Sequence, residues 1–143
     1  LVMVGDGDKY QECEEIIAKK KLKRVNMVGY QMSIPYIDRA SILCITSVIE
    51  GLPTVFTEAM NLGVVPIGFD SFRAIYDMID DGKNGFIIRD NDYKAYAQTL
   101  IQLATNDTLR HEIASNAKLQ KGNYDIEHIG PLWIKAFRKH GIV

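Results

Sequence analysis

The sequence is poor in the residues that build disulfide frameworks and histidine-centred sites. Its two cysteines, Cys13 and Cys44, are too few for a disulfide framework, and Cys44 falls in an apolar run that predicts a buried thiol. The three histidines are scattered over the C-terminal segments, without the spacing of a metal site or a catalytic triad. Unpaired thiols are typical of a reducing compartment, so we expect a cytoplasmic protein.

Long apolar runs and a strong net charge are also missing. No apolar run approaches the ~20 residues that span a bilayer, so the sequence predicts no transmembrane helix. The formal net charge is −1, which gives no electrostatic case for binding nucleic acid. The basic run at residues 19–24 is typical of solvated charge at a helix end, and its functional alternative is a peripheral contact with the inner face of an anionic membrane.

The sequence does contain a regular alternation of short apolar runs and amphipathic segments. The apolar runs predict strands at residues 1–4, 25–28, 42–46, 64–69 and 86–88. The segments between them predict helices at about 8–20, 33–39, 53–62 and 72–79. Three more helices are predicted at 91–104, 108–120 and 126–139. The alternation predicts an α/β fold over residues 1–143, with a doubly wound, mostly parallel, Rossmann-like sheet and a helical C-terminal segment.

Helix boundaries follow from capping residues. Asp8, Asp92 and Thr108 are the expected N-caps of three helices, with Asn91 as an alternative to Asp92. Pro53 is expected at the first position of its helix, and Gly63 is expected to end that helix.

Two glutamates, Glu50 and Glu58, lie eight residues apart around a predicted strand-to-helix junction. Glu50 falls in the loop after the strand at 42–46, and Glu58 falls near the start of the next helix. Ligands of open α/β sheets bind beyond the carboxyl ends of the strands, so both carboxylates should reach one cleft. A carboxylate there can accept two hydrogen bonds from a vicinal diol, such as a ribose or a sugar ring.

Each glutamate also has a structural interpretation. Glu58 lies beside an expected apolar stripe of Val55, Ala59 and Leu62, where the helix dipole would stabilise its charge. Glu50 precedes Gly51 and is typical of a solvated loop acid before a turn. On these residues alone, the structural interpretations outweigh the functional ones.

The wider pattern resembles a known family. Residues 47–63, read as S-x2-E-G-x6-E-A-M-x2-G, resemble the donor-site signature of retaining glycosyltransferases with the GT-B fold, specifically glycosyltransferase family 4. Three other segments, Leu1–Gly7, Val25–Tyr30 and Asp81–Phe86, resemble that family's L-x-I-V-G-x-G, V-x-F-L-G and D-G-x-N-G elements. The four matches occur in the family's order and cover residues 1 to about 90.

The resemblance implies the C-terminal, nucleotide-sugar-binding domain of such an enzyme. The expected reaction moves a sugar from a nucleoside diphosphate sugar to an acceptor hydroxyl, in glycan or polysaccharide assembly. We expect a glycan or lipid-linked acceptor to bind an N-terminal domain that this sequence does not include. The first strand and helix of the nucleotide-sugar-binding domain are also expected to lie outside this sequence. We therefore expect this chain by itself to bind the donor without catalysing transfer. No metal or other cofactor is expected, and the Asp-x-Asp sequences at 6–8 and 90–92 are interpreted as a turn and a helix start.

The resemblance also assigns site residues. It implies that Glu58 binds the ribose hydroxyls and that Glu50 contacts the donor sugar or its phosphate as the catalytic residue. The remaining donor-binding candidates are Ser47, Gly51, Leu52, Pro53 and Thr54 around the helix start, Gly29 and Tyr30 beside the base, and Phe72 in the loop after the next strand. Tyr30 is equally interpreted as an aromatic lid over a local core, and Gly51 as a turn glycine. Many family members have a glycine-rich segment where this sequence has Ser71-Phe72-Arg73. The identity of the donor sugar therefore does not follow from the resemblance.

Two further alternatives and one structural question remain. The chain is alternatively a non-catalytic nucleotide-binding module, or a receiver-like signalling domain, although the strand at 86–88 lacks the lysine of a receiver. The family's strand order, 3-2-1-4-5-6, would leave a central gap between the strands at 1–4 and 42–46. Unpaired buried amides are unfavourable, so these strands either close up or receive another segment between them.

Overall fold

The computed structural model describes residues 1–120 and 122–142, and the chain divides into two compact units after Tyr36. Within the described residues, strands and helices alternate in the predicted order. The strands are β1 (Val2–Met3), β2 (Asn26–Met27), β3 (Ile42–Ile45), β4 (Val65–Phe69) and β5 (Phe86–Ile88). The helices are α1 (Tyr10–Lys19), α2 (Ile34–Ile37), α3 (Thr54–Leu62), α4 (Ile75–Met78), α5 (Tyr93–Thr105), α6 (Asp107–Lys118) and α7 (Ile126–Lys139).

The first unit contains a small parallel sheet of two strands. β1 pairs with β2 with Val2 opposite Asn26 and Met3 opposite Met27. The predicted N-cap role of Asp8 is wrong, because α1 begins at Tyr10 and Lys9 occupies the cap position without a side-chain cap bond. The Tyr10 amide instead donates to the carbonyl of Gly7 at 2.8 Å, so a turn leads into the helix.

The second unit contains a three-stranded parallel sheet in the order β3-β4-β5. Ile42 lies opposite Val65, and Ile67 lies opposite Phe86. Every residue of the central strand β4 is buried, as expected for a strand with helices on both faces. The described ladders thus form two parallel sheets, and direct pairing of β1 with β3 is not among them.

The two faces of β4 pack against different helices. On one face Val65 packs with Leu103 of α5 and Ile113 of α6. On the other face, a Cβ added at Gly68 would lie 3.0 Å from Phe56 of α3 and 2.9 Å from Ile75 of α4. Helices therefore cover both faces of this sheet, which confirms the doubly wound prediction for the second unit.

Cys44 of β3 is only partly buried, but desolvation raises the pKa of its thiol above the ordinary value. The thiol predicted to be buried is thus only partly buried, and it stays protonated at neutral pH.

The turn at Asp81–Phe86 has a structural explanation. Asn84 is 4% exposed, and its side chain accepts from the Asp80 amide at 2.7 Å and donates to the Met78 carbonyl at 3.3 Å. Asp81 accepts from the Ile87 amide at 2.8 Å through Oδ1. Asn84 and Asp81 therefore close the connection between α4 and β5, which accounts for two polar positions of this motif without a ligand.

The helical C-terminal segment is confirmed, with one wrong cap. Asp92 caps α5 by accepting from the Ala95 amide at 2.9 Å, as predicted. Thr108 does not cap α6, because Asn106 accepts from the Leu109 amide at 3.0 Å and the helix begins at Asp107. Among the described residues, no helix has the length and apolarity needed to cross a bilayer.

Tyr96 is a stability determinant of the second unit. Its buried hydroxyl lies 3.3 Å from the Ile45 carbonyl and 3.0 Å from the Ile67 carbonyl, so it bridges β3 and β4. We expect Tyr96→Phe to lower the free energy of unfolding by about 1–2 kcal/mol, because the one hydroxyl proton shared between these two buried carbonyls is lost. Tyr93→Phe is the matched control, since Tyr93 is 67% exposed. Denaturant unfolding measures both, and equal losses would contradict the prediction.

Candidate functional site

The loop at residues 46–53 leaves the carboxyl end of β3 without regular secondary structure. It carries Ser47 and Glu50, both partly buried, and the exposed Gly51. Glu50 therefore lies where the sequence predicted, at the edge where ligands of parallel α/β sheets bind. A Cβ added at Gly51 would meet nothing within 4 Å, so the loop has open space beside it.

Helix α3 begins directly after this loop. Pro53 is buried and occupies the N-cap position, one residue before its predicted place, while Leu52 and Thr54 are exposed. The N-cap residue itself makes no side-chain cap bond. The first amides of a helix have no partner within it and lie at the positive end of its dipole. The start of α3 can therefore receive an anion such as a diphosphate.

Glu58 lies on a different face of α3 from the one predicted. The buried residues are Phe56, Ala59 and Met60, whereas Leu62 is 38% exposed, so the expected stripe through Leu62 is wrong. At 100° per residue, Glu58 stands about 150° from the centre of the buried face. Its side chain is nevertheless partly buried. A carboxylate on the face away from the core does not serve core packing.

The loops after β3 and β4 are joined by a hydrogen bond. The Ser71 hydroxyl donates to the Ser47 carbonyl at 2.5 Å. The preceding residue, Asp70, holds its own loop in place, because its amide donates to the Ile88 carbonyl at 2.8 Å and its Oδ1 accepts from the Asp90 amide at 2.5 Å. Motif reasoning gave Ser71 no role of its own and missed this bond, because the bond joins residues 24 positions apart.

Phe72 and its neighbour Arg73 differ in burial. The Phe72 side chain is 6% exposed and packs in a core cluster with Ile45, Phe56 and Ile75. Its ring therefore serves the core, and a donor-binding role for Phe72 remains a prediction for its backbone alone. The side chain of Arg73 is exposed.

Gly29 and Tyr30 belong to the first unit, whereas the other candidates belong to the second. The Gly29 carbonyl accepts from the Gly5 amide at 2.8 Å, which ties together the turns after β1 and β2. Tyr30 is 79% exposed, so its interpretation as a lid over a local core is wrong. Its stacking on a base stays a prediction.

An open cleft of about 510 Å³ in the second unit does not include Glu50 or Glu58. Its lining includes four acidic residues, Asp70, Asp77, Asp80 and Asp81. A phosphate group would meet like charges there, so the cleft is a poor site for a nucleotide diphosphate. The edge at Glu50 and the start of α3 is the better candidate, because the helix dipole attracts an anion.

In residues 1–120 and 122–142, no three His, Cys, Asp or Glu side chains are grouped so as to hold a metal ion. Asp92 of the second Asp-x-Asp sequence caps α5, as described above.

Comparison with known proteins identifies relatives over almost the whole chain. An alpha-1,4-N-acetyl-D-galactosaminyltransferase from Campylobacter jejuni is 30% identical over 136 residues, which cover 94% of this chain and 38% of that protein. The chain thus spans well under half the length of this relative. The full name of that protein includes the lipid-linked glycan GalNAc-alpha-(1->4)-GalNAc-alpha-(1->3)-diNAcBac-PP-undecaprenol.

Solved structures agree in fold. The crystal structure of TarM, a Staphylococcus aureus protein, superposes with a TM-score of 0.86 at 28% identity over 95% of this chain and 28% of that chain. Anabaena HepE in complex with UDP and glucose superposes with a TM-score of 0.86 at 22% identity, over 96% of this chain and 40% of that chain. These neighbours are GT-B glycosyltransferases. The model of the family described as Glycosyl transferases group 1 matches residues 1–120. The chain therefore belongs to the group 1 glycosyl transferases and has the fold of a GT-B domain.

Proposed function

We propose that this chain is the donor-binding half of a retaining glycosyltransferase of family 4. In this proposal, the complete protein transfers a sugar from a nucleoside diphosphate sugar to an acceptor hydroxyl with retention of anomeric configuration. Glu58 binds the ribose hydroxyls, the start of α3 receives the diphosphate, and Glu50 contacts the donor sugar or its phosphate. No metal is required, because the helix N-terminus stabilises the departing diphosphate.

The observation that carries the proposal is the position of the two glutamates around the start of α3. Glu50 lies in the loop before that helix end, and Glu58 lies four residues after Thr54 on the face away from the core. An anion at the helix start would have a carboxylate on each side along the chain. This order suits a sugar, a diphosphate and a ribose bound in series.

A uridine nucleotide is the first candidate for the donor. Anabaena HepE has been solved in complex with UDP and glucose, and the Campylobacter relative is named for an N-acetylgalactosaminyl group. We propose UDP-linked hexoses and N-acetylhexosamines as donors for the same site.

The acceptor is proposed to be a glycan or a lipid-linked glycan, bound by a part of the protein other than this chain. The Campylobacter relative is named for an acceptor carried on undecaprenol diphosphate. A lipid-linked acceptor would bring the protein to the inner face of the membrane. The exposed basic residues 19–24 would then contact anionic lipid headgroups.

Nucleotide titration of the full-length protein tests the donor site. We expect UDP to bind in a calorimeter, with GDP and ADP measured beside it to identify the base. Glu58→Ala should weaken nucleotide binding by about 10- to 30-fold, because two hydrogen bonds from the ribose hydroxyls to a carboxylate are lost. Glu112→Ala is the matched control, since Glu112 is an exposed acid on α6.

The outcomes separate the site from the base. If GDP or ADP binds instead of UDP and Glu58→Ala weakens that binding, the ribose-binding role of Glu58 is supported. The proposed uridine donor would then be wrong. If Glu58→Ala and Glu112→Ala bind equally well, the ribose role of Glu58 is wrong. Binding of none of the three nucleotides to a folded full-length protein would overturn the proposed function.

A further inference from the structure

Ser71 lies where two loops at the same edge of the β3-β4-β5 sheet come together. Ile45 at the end of β3 is in register with Gly68 near the end of β4. Ser47 therefore emerges beside the segment that contains Asp70 and Ser71. The Ser71 hydroxyl donates to the Ser47 carbonyl at 2.5 Å, and this contact continues the connection between the strands beyond their last paired residues.

The donor side of this bond is rigidly held. Asp70, just before Ser71, is tied to Ile88 through its amide and to Asp90 through its carboxylate. Phe72, just after Ser71, has a ring that is 6% exposed in the core. Ser71 thus lies between two anchored residues, and its hydroxyl is presented from a fixed support.

The acceptor side of the bond lies in the irregular loop at residues 46–53. Val48 and Ile49 are 73% and 86% exposed, so their side chains do not hold the loop to the core. The next buried residue is Pro53, where α3 begins. Glu50 therefore lies on a span fixed at one end by Pro53 and at the other end by the bond between Ser47 and Ser71.

We propose that Ser71 is a positioning residue for Glu50. By holding the Ser47 carbonyl, it fixes the start of the loop and with it the place of the Glu50 carboxylate. This inference rests on the proposed role of Glu50 in sugar transfer. It differs from a nucleotide-binding role, because the proposed ribose and diphosphate contacts are made from α3, which Ser71 does not hold. Loss of the hydroxyl should therefore affect turnover and leave nucleotide affinity unchanged.

The test compares Ser71→Ala with Ser71→Thr in the full-length protein. The assay follows release of UDP from UDP-glucose and UDP-N-acetylgalactosamine, and calorimetry measures the affinity for UDP. We expect Ser71→Ala to lower kcat by about 5- to 10-fold, because displacement of a reacting group from its position slows a reaction steeply. The Kd for UDP should change less than twofold. Ser71→Thr keeps the hydroxyl and should recover most of kcat.

Amide hydrogen exchange supplies a second readout. Exchange in residues 46–52 should accelerate in Ser71→Ala and remain near wild type in Ser71→Thr. Unchanged kcat in Ser71→Ala, in a protein whose Glu50→Ala variant is impaired, would overturn this inference and leave the proposed function intact. A fall of kcat and UDP affinity together, with equal loss in Ser71→Thr, would show a general structural role and would also overturn it. If the Glu50→Ala variant has normal turnover, the proposed role of Glu50 is wrong, and the inference about Ser71 is wrong with it.

Discussion

Replacement of Glu50 by alanine is expected to lower the turnover of the full-length protein by about 100-fold while UDP affinity changes less than threefold. The reason is the position of Glu50 in the loop before α3, where its carboxylate would meet the donor sugar or its phosphate and not the ribose. A preorganised charged or polar group that acts on the reacting centre commonly contributes about 10²- to 10³-fold to a rate. The two quantities are measured by UDP release and by calorimetry.

Glu50→Gln distinguishes charge from shape. The glutamine keeps the length of the side chain and its ability to hydrogen-bond but removes the negative charge. If the charge supports the transition state, Glu50→Gln should be nearly as slow as Glu50→Ala. If Glu50 mainly orients the sugar by a hydrogen bond, the glutamine variant should recover much of the rate. Unchanged turnover in Glu50→Ala would show that Glu50 is a solvated loop acid.

The order of the elements was predictable because it depends on local patterns. Short apolar runs between amphipathic segments identified the five strands found in residues 1–120 and 122–142, and β5 was predicted with its observed bounds, Phe86–Ile88. The other strands are shorter than predicted, since an apolar residue can continue a pattern beyond the last paired position. Val4, for example, is 43% exposed and lies outside β1.

Capping was harder to predict where several suitable residues are adjacent. Asn106, Asp107 and Thr108 all favour an N-cap, and Asn106 occupies the position in the structure. Which of the three residues caps α6 depends on the end of α5 at Thr105. The residues of α6 alone do not contain that information.

The buried face of α3 could not be predicted from its own residues. Apolar side chains surround much of the circumference of α3, so more than one face of this helix is compatible with packing against a core. Contacts with other elements decide between them: Phe56 and Met60 pack with Ile75 and Met78 of α4. Those contacts depend on the tertiary arrangement and move the buried face away from Glu58.

The same limit applies to side chains at the candidate site. Phe72 was predicted near the donor because its loop reaches the correct edge, yet its ring packs in the core. Ser71, its neighbour, carries the contact to Ser47. Sequence patterns identify which loops meet at a sheet edge, but the alternation of inward and outward side chains within an irregular loop follows no fixed period.

Gly85→Ala is expected to give a large loss of stability, about 3 kcal/mol in the free energy of unfolding. A Cβ at this buried position would lie 2.8 Å from both the Pro66 carbonyl oxygen and the Pro66 Cγ, and 3.2 Å from the Ile79 Cγ2. Pro66 belongs to the central strand β4. Because the clash is with backbone and with a rigid ring, the turn before β5 must shift, and overpacking of this kind costs about 1–3 kcal/mol or more.

Gly7→Ala is the matched control for this substitution, because a Cβ at Gly7 would meet nothing within 4 Å. Its unfolding free energy should stay within about 0.5 kcal/mol of wild type. Denaturant unfolding at constant m-value measures both variants. Equal stability of Gly85→Ala and wild type would show that the turn relaxes without cost. The close approach to Pro66 would then fail to explain the last glycine of the D-G-x-N-G sequence, whereas the side-chain bonds of Asn84 and Asp81 would still account for their own positions.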